Sequence, residues 1–174
     1  MIVRDETPAD IAAIGALTAE AFAPMAYSDG TETAIIERLR AACALTISLV
    51  AEEDGEVVGH VAFSPVTILG EDEGGDVGQG QRQAWYGLGP ISVRPARQRS
   101  GIGSTLVRAG LERLRALDAG GCVLAGDPGY YGRFGFATDP AFTSPGIPHE
   151  YFMRVAFSPV YAGGTVTYHP AFFG

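Results

Sequence analysis

Lysine is absent from this chain, and all twelve of its Lys/Arg positions are arginine. That absence removes one phosphate loop at the outset. A Walker A loop needs G-x-x-x-x-G-K-[ST], whose lysine reaches the terminal phosphates. Cysteine is scarce as well. Cys43 and Cys122 are the two in the chain. Both sit in apolar stretches, so reduced, buried thiols are expected. No apolar run approaches the roughly 20 residues of a membrane span, and "MIVRDETPAD" lacks the basic and apolar regions of a secretory leader. A cytoplasmic location and no membrane partner are expected. Basic charge is in deficit, with a net of −8. This argues against a general nucleic-acid binder. It suits a cationic partner, although an acidic surface also simply keeps a protein soluble. His60, His149 and His169 are spread without metal-ligand spacing, so no metal site is expected.

What is present describes an ordinary folded chain. Its 174 residues are 47% apolar and 18% charged, the balance of a globular protein long enough to bury a full core, and a single domain over 1–174 is expected. "TPADIAAIGALTAEAF" carries a helix start: Thr7 as cap, Pro8 in the first turn and Asp10 at capping-box spacing, followed by Ile11, Ile14, Leu17 and Ala21 on one face. A second helix is expected from Thr31. Leu45 to Glu52 and Val57 to Phe63 read as a hairpin around "EDGE", with Pro65 making a bend or an edge before Val66 to Leu69. "GEDEGGDVGQGQRQ" reads as a loop. "AWYGLGPISV" reads as a strand whose Gly89-Pro90 predicts a bulge or lost pairing. From Gly101 the pattern is helical, with Ile102, Leu106, Gly110, Leu114 and Leu117 as a stripe, ended by "AGG". "CVLAG" is a short buried strand, and "DPGYYGRFGF" a brief helix capped by Asp127 and ended by Gly135. Phe152 to Phe157 and Thr165 to Tyr168 are two further strands. The order is mixed α/β with a strand-helix-strand crossover in the middle.

The junction "RQRSGIGS" carries the chemistry. A helix start leaves backbone N–H groups without partners and favours negative charge, and glycine lets a ligand approach the backbone. Arg94, Arg97, Arg99 and Arg108 gather beside it, either as an anion site or as a solvated cluster. A dinucleotide fingerprint G-x-G-x-x-G would need glycine at position 106, which is Leu106, and would place its glycines directly after the strand. The spacing that fits is Q-x-x-G-x-G, met by Gln98, Gly101 and Gly103.

With its surroundings, "ISVRPARQRSGIGSTLV" resembles the acetyl-CoA-binding segment of the GNAT N-acetyltransferases, V-x-P-x-x-Q-x-x-G-x-G. Val93, Pro95, Gln98, Gly101 and Gly103 match. About thirty residues on, "YYGRFGF" resembles that family's Y-x-K-x-G-F element, with Arg133 in place of lysine. "GDPGYYGRFGF" and "GGTVTYHPAFFG" further resemble a branch of small bacterial N-acetyltransferases. The resemblance implies a central twisted mixed sheet, splayed between strands 4 and 5 and flanked by helices. It implies acetyl-CoA as co-substrate, with Gln98, Arg99, Ser100, Gly101, Ile102, Gly103 and Ser104 around the pyrophosphate. Ile91, Ser92 and Val93 would meet the pantetheine arm through their backbone, and Tyr131 and Phe134 would complete the cofactor site. Arg94 and Arg97 would meet the phosphates or only set the local potential.

Acetyl transfer from a thioester to an amine needs a deprotonated amine, donors to the carbonyl oxygen and a proton for the departing sulfur. No G-x-S-x-G or Cys-His arrangement offers a covalent nucleophile, so direct attack is expected, as the resemblance also implies. Tyr131 takes the family's general-acid position, with Tyr130 as its competitor. The Val93 backbone N–H is the implied oxyanion donor. Glu52, Glu53 and Asp29 are candidate bases, and Tyr27, Ser28 and Asp29 candidate contacts to the acceptor. The expected partner is a small-molecule or peptide amine, with a homodimer left open. The alternatives are an acyltransferase using a different acyl-CoA and a non-catalytic acyl-CoA-binding regulatory domain.

Overall fold

The computed structural model describes residues 1–70, 83–159 and 163–174. All but the ends of the acidic, glycine-rich stretch from Gly70 to Gln83, read above as a loop, lies outside the described residues. Within them are β1 (Ile2–Asp5), α1 (Ile11–Phe22), α2 (Glu32–Ala41), β2 (Ile47–Glu53), β3 (Glu56–Leu69), β4 (Trp85–Val93), α3 (Ile102–Ala116), β5 (Gly121–Ala125), α4 (Pro128–Tyr131), β6 (Phe142–Thr143), β7 (Phe152–Ala156) and β8 (Gly164–Tyr168). The fold is the expected mixed α/β class, with an open mixed sheet. Strands pair in the order β1-β2-β3-β4-β5-β7, and β8 pairs with β3 and β6.

The chain divides into two compact units. One comprises Met1–Ser64, Leu88–Arg113 and Pro170–Gly174, and the other Pro65–Gly87 and Leu114–His169. In the first unit, β1 and β2 run antiparallel from Ile2 opposite Glu52 to Asp5 opposite Leu49. β2 and β3 form the hairpin read from "EDGE", closed at Glu53 opposite Glu56. Its two turn residues, Asp54 and Gly55, have φ of 50° and 82°, as a two-residue hairpin turn requires. The capping box at Thr7 and Asp10 is present. Ile14 and Leu17 of α1, Ile36 of α2, and Val50 and Val57 of the hairpin close into one apolar cluster. α3 lies close on β3. A Cβ on Gly59 would stand 2.8 Å from Ile102 and 2.9 Å from Leu106, and one on Gly110 would stand 2.2 Å from the Phe63 ring.

In the second unit, β4 and β5 pair in parallel over Trp85–Gly121, Tyr86–Cys122 and Gly87–Val123, where the ladder ends. β5 and β7 run antiparallel. Trp85, Val123, Phe142, Phe152 and Val166 form the core, with Val66, Ile68, Ile147 and Tyr168 packed against them.

Four local expectations are corrected. The two strands read on either side of Pro65 are one: β3 runs unbroken through it. Pro65 falls where the ladder to β2 has ended at Phe63 and that to β8 starts at Val66, so its missing N–H costs neither ladder a bond. Leu117 is 55% exposed rather than buried, because α3 has already ended at Ala116. The residue that turns the chain there is Asp118 at φ 55°, not "AGG". Gly120 and Gly121 instead lie under Trp85, within 2.5 Å of where their Cβ atoms would be. Cys43 is exposed, and Cys122 is the buried thiol. Cys43 sits at φ 53° in the turn after α2, outside the packed face of that helix.

Candidate active site

The first unit holds Ile91 to Ser104 and residues 27–29. β4 is continuous through Gly89-Pro90, with a cis peptide there and Gly89 at φ 138°. Ser92 is 3% exposed, and its hydroxyl lies 3.3 Å from that of buried Thr18 on α1. Side chains alternate along a strand, so Ile91 and Val93 project on the opposite face from Ser92.

After Val93 the chain is tied down residue by residue. Arg94 N donates to Val58 O at 2.9 Å. Its guanidinium donates to Glu56 at 2.7 Å and to Val57 O at 3.3 Å. Arg97 pairs with Glu53. Gln98 Nε2 donates to Val93 O at 3.2 Å and Ser100 Oγ to Arg97 O at 2.5 Å. Gln98 thus closes the loop onto the end of β4 with its side chain. Arg94 and Arg97 are taken up by carboxylates of the β2–β3 hairpin, while Arg99 is exposed at φ 62°.

Gly101 follows at φ 91°, with nothing within 4 Å of a Cβ built on it. This is a backbone conformation that side chains with a Cβ disfavour. In the first turn of α3, Thr105 N donates to Gly101 O at 3.0 Å. The amides of Ile102 and Gly103 precede that bond and sit at the positive end of the helix dipole. Open backbone, helix amides and an exposed guanidinium make this turn fit for an anion.

The three candidate bases are each engaged. Glu52 accepts from Arg4 Nε at 2.9 Å and Nη2 at 2.7 Å. Arg4 also binds Asp10 at 2.7 Å, and that hydrogen bond holds the Asp10 carboxyl well below the usual carboxylate range. Glu53 is the partner of Arg97. Asp29 accepts from Thr31 Oγ1 at 2.5 Å and Thr31 N at 3.1 Å. These bonds lower its pKa and weaken it as a base. Ser28 Oγ accepts from Gly30 N at 3.0 Å, and Tyr27 is 80% exposed. Residues 27–29 therefore form the turn between α1 and α2, with the tyrosine ring facing solvent.

The second unit holds Tyr131 and Phe134. Asp127 caps α4 by accepting from Gly129 N at 2.9 Å, and Gly135 ends the following turn at φ 90°. The half-buried Tyr131 ring meets Tyr130 edge-on at 4.9 Å between centroids and Phe136 at 6.1 Å. Phe134 is buried and packs on Tyr130 at 5.5 Å. Arg133, at the position of the family's lysine, donates from Nε to Tyr130 O at 2.9 Å. Its guanidinium lies 4.6 Å from the centre of the Tyr130 ring.

The family model for acetyltransferases of the GNAT family matches residues 15–136. The chain belongs to the acetyltransferase (GNAT) family. It is similar to a GNAT family acetyltransferase from Brucella melitensis, solved in complex with acetyl-CoA. That protein is 50% identical, with a TM-score of 0.82 over 98% of this chain and 97% of the other. It is also 36% identical over 137 residues to "Uncharacterized N-acetyltransferase YhbS" of Escherichia coli strain K12, which spans 78% of this chain and 73% of that one. The structure of Escherichia coli YhbS in complex with CoA aligns with a TM-score of 0.83 at 30% identity, covering 99% of this chain and 92% of the other.

Within this GNAT chain, sequence reasoning missed the loop's anchors. Glu56 and the Val57 and Val58 carbonyls hold Arg94, and Glu53, read as a candidate base, holds Arg97. Opposite charge was the available signal, but the pairing depends on the β2–β3 hairpin carrying those groups beside residues about forty positions later. Among the described residues no group of three or more His, Cys, Asp or Glu side chains is placed to hold a metal, and no helix is long and apolar enough to cross a membrane.

Proposed function

We propose that residues 1–174 act as one acetyltransferase domain that moves an acetyl group from acetyl-CoA directly to an amine. The observation that carries this reading is the Gln98–Ser104 turn, with its left-handed Gly101, its helix amides and its exposed Arg99. The acetyl-CoA and CoA complexes of the two similar proteins support it. The backbone and side chains of Arg99, Ser100, Gly101, Ile102, Gly103 and Ser104 would hold the pyrophosphate, with Gln98 fixing the turn. Ile91, Ser92 and Val93 would bond the pantetheine amides through their backbone, and Phe134 and Tyr131 would border the acyl end.

Acetyl-CoA supplies an activated thioester, so the chain need only position it, support charge and move protons. The Val93 N–H is the donor to the carbonyl oxygen as the amine nitrogen bonds to the carbonyl carbon. The C–S bond breaks, and the Tyr131 O–H gives its proton to the leaving sulfur. The proton shed by the amine leaves through water, and the phenolate regains one from solvent.

The acidic net charge favours a cationic acceptor, a small amine or a peptide. The test is thiol release from acetyl-CoA against a panel of amines. Tyr131→Phe is expected to lower kcat about 100-fold, within the range of general-acid effects, with KM for acetyl-CoA unchanged. Wild-type turnover in that variant would remove Tyr131 from the mechanism. Binding of acetyl-CoA without turnover on a broad panel points instead to an acyl-CoA sensor.

A further inference from the structure

The sequence around Tyr131 is crowded with aromatics and glycines, and one glycine has a contact no turn requires. Gly126 is the residue after β5, and its N–H donates to Tyr151 O at 2.9 Å. Its φ lies outside the left-handed region, so the backbone would accept alanine there. The side-chain space would not. A Cβ on Gly126 would stand 2.5 Å from Tyr131 Cε2 and 2.9 Å from Cδ2, with Leu124 next at 3.4 Å. One edge of the Tyr131 ring therefore rests directly on the Gly126 backbone.

Three aromatic rings also meet it. Tyr130 meets it at 87°, Phe136 at 79° and Phe134 at 54°. Tyr130 is itself pinned by the Arg133 guanidinium over its face and the Arg133 Nε bond to its carbonyl. The ring is thus flanked by a glycine floor and by an aromatic wall that Arg133 braces.

We infer that Gly126 is a positioning residue for the Tyr131 hydroxyl, with Arg133 acting toward the same end through Tyr130. This rests on Tyr131 being the general acid. An acid must lie within hydrogen-bond reach of the atom it protonates, and a displacement of about 1 Å at a reacting group costs up to about 100-fold in rate. Alanine at 126 pushes the ring by that order.

The experiment is a double-mutant cycle on the full chain, reading kcat and the acetyl-CoA KM for Gly126→Ala, Tyr131→Phe and the double variant. Gly126→Ala is expected to lower kcat at least 10-fold in the Tyr131 enzyme and less than 2-fold in the Tyr131→Phe background, with KM unchanged throughout. A loss of equal size in both backgrounds, or none in either, overturns the positioning role while leaving the acid assignment standing. Full turnover of Tyr131→Phe alone overturns the acid assignment and, with it, the inference. Should Gly126→Ala not fold, Arg133→Gln at the exposed brace takes its place. A severalfold loss of kcat confined to the Tyr131 enzyme supports the inference, and an unchanged kcat overturns it.

Discussion

His60 lies on β3 with no exposed surface, its Nε2 2.8 Å from Ser48 Oγ and 3.9 Å from Glu6. Ser48 Oγ donates to Glu6 at 2.6 Å, and Arg40 grips the same carboxylate through two bonds of 2.9 Å. Burial pushes the His60 pKa down to about 4, against an opposing pull from Glu6, and Arg40 adds to the lowering. Burial pushes the Glu6 carboxyl up, but its bonds to Arg40 and Ser48 outweigh that and hold it below the usual value. The folded imidazole is therefore neutral, while the unfolded one takes a proton near pH 6.5. Its contribution to stability is complete above that pH and is lost as pH falls toward about 4, by on the order of 3 kcal/mol. Urea unfolding across pH 4 to 7 should show this slope, and His60→Gln should flatten it. An unchanged slope in the variant means another group carries the acid sensitivity.

Among the elements, α3 both packs the first unit and presents the loop amides at its start. Gly110 decides how closely it lies on β3. Alanine is ordinarily the better helix former by about 1 kcal/mol, yet its Cβ would meet the fully buried Phe63 ring at 2.2 Å. Overpacking of this kind typically costs about 1–3 kcal/mol, so Gly110→Ala is expected to lower the urea midpoint. A raised midpoint would show that the Phe63 ring yields freely. The elements themselves were largely legible in the sequence, because their signals are local: the Thr7 box, the "EDGE" turn and the Ile102–Leu114 stripe each depend on spacings of a few residues. What was not legible is in part a local turn and in larger part depends on distant partners. Leu117 continued the stripe, and only Asp118 turning left-handed put it outside. Pro65 was harmless because two other strands change over beside it. The site divides the same way: the Q-x-x-G-x-G spacing marks the loop, but the Glu53 and Glu56 anchors and the Gly126 floor become visible only once the chain is folded.

On the scale of the whole molecule, the family match from residue 15 to 136 takes in parts of both compact units, the loop from one and Tyr131 from the other. With no lysine in the chain, its side chains offer no primary amine for self-acetylation. A ligand that binds only the folded chain stabilises it by about 2.7 kcal/mol at 100 times its Kd, and acetyl-CoA should raise Tm accordingly. The most direct measurement is calorimetric titration of acetyl-CoA into the wild type and into Gly101→Val. Valine at φ 91° strains the backbone without filling any occupied space, so it tests the turn itself. The account predicts saturable one-to-one binding by the wild type and at least a tenfold weaker Kd in the folded variant. Equal affinity in the two proteins, or no binding by the wild type, would contradict it.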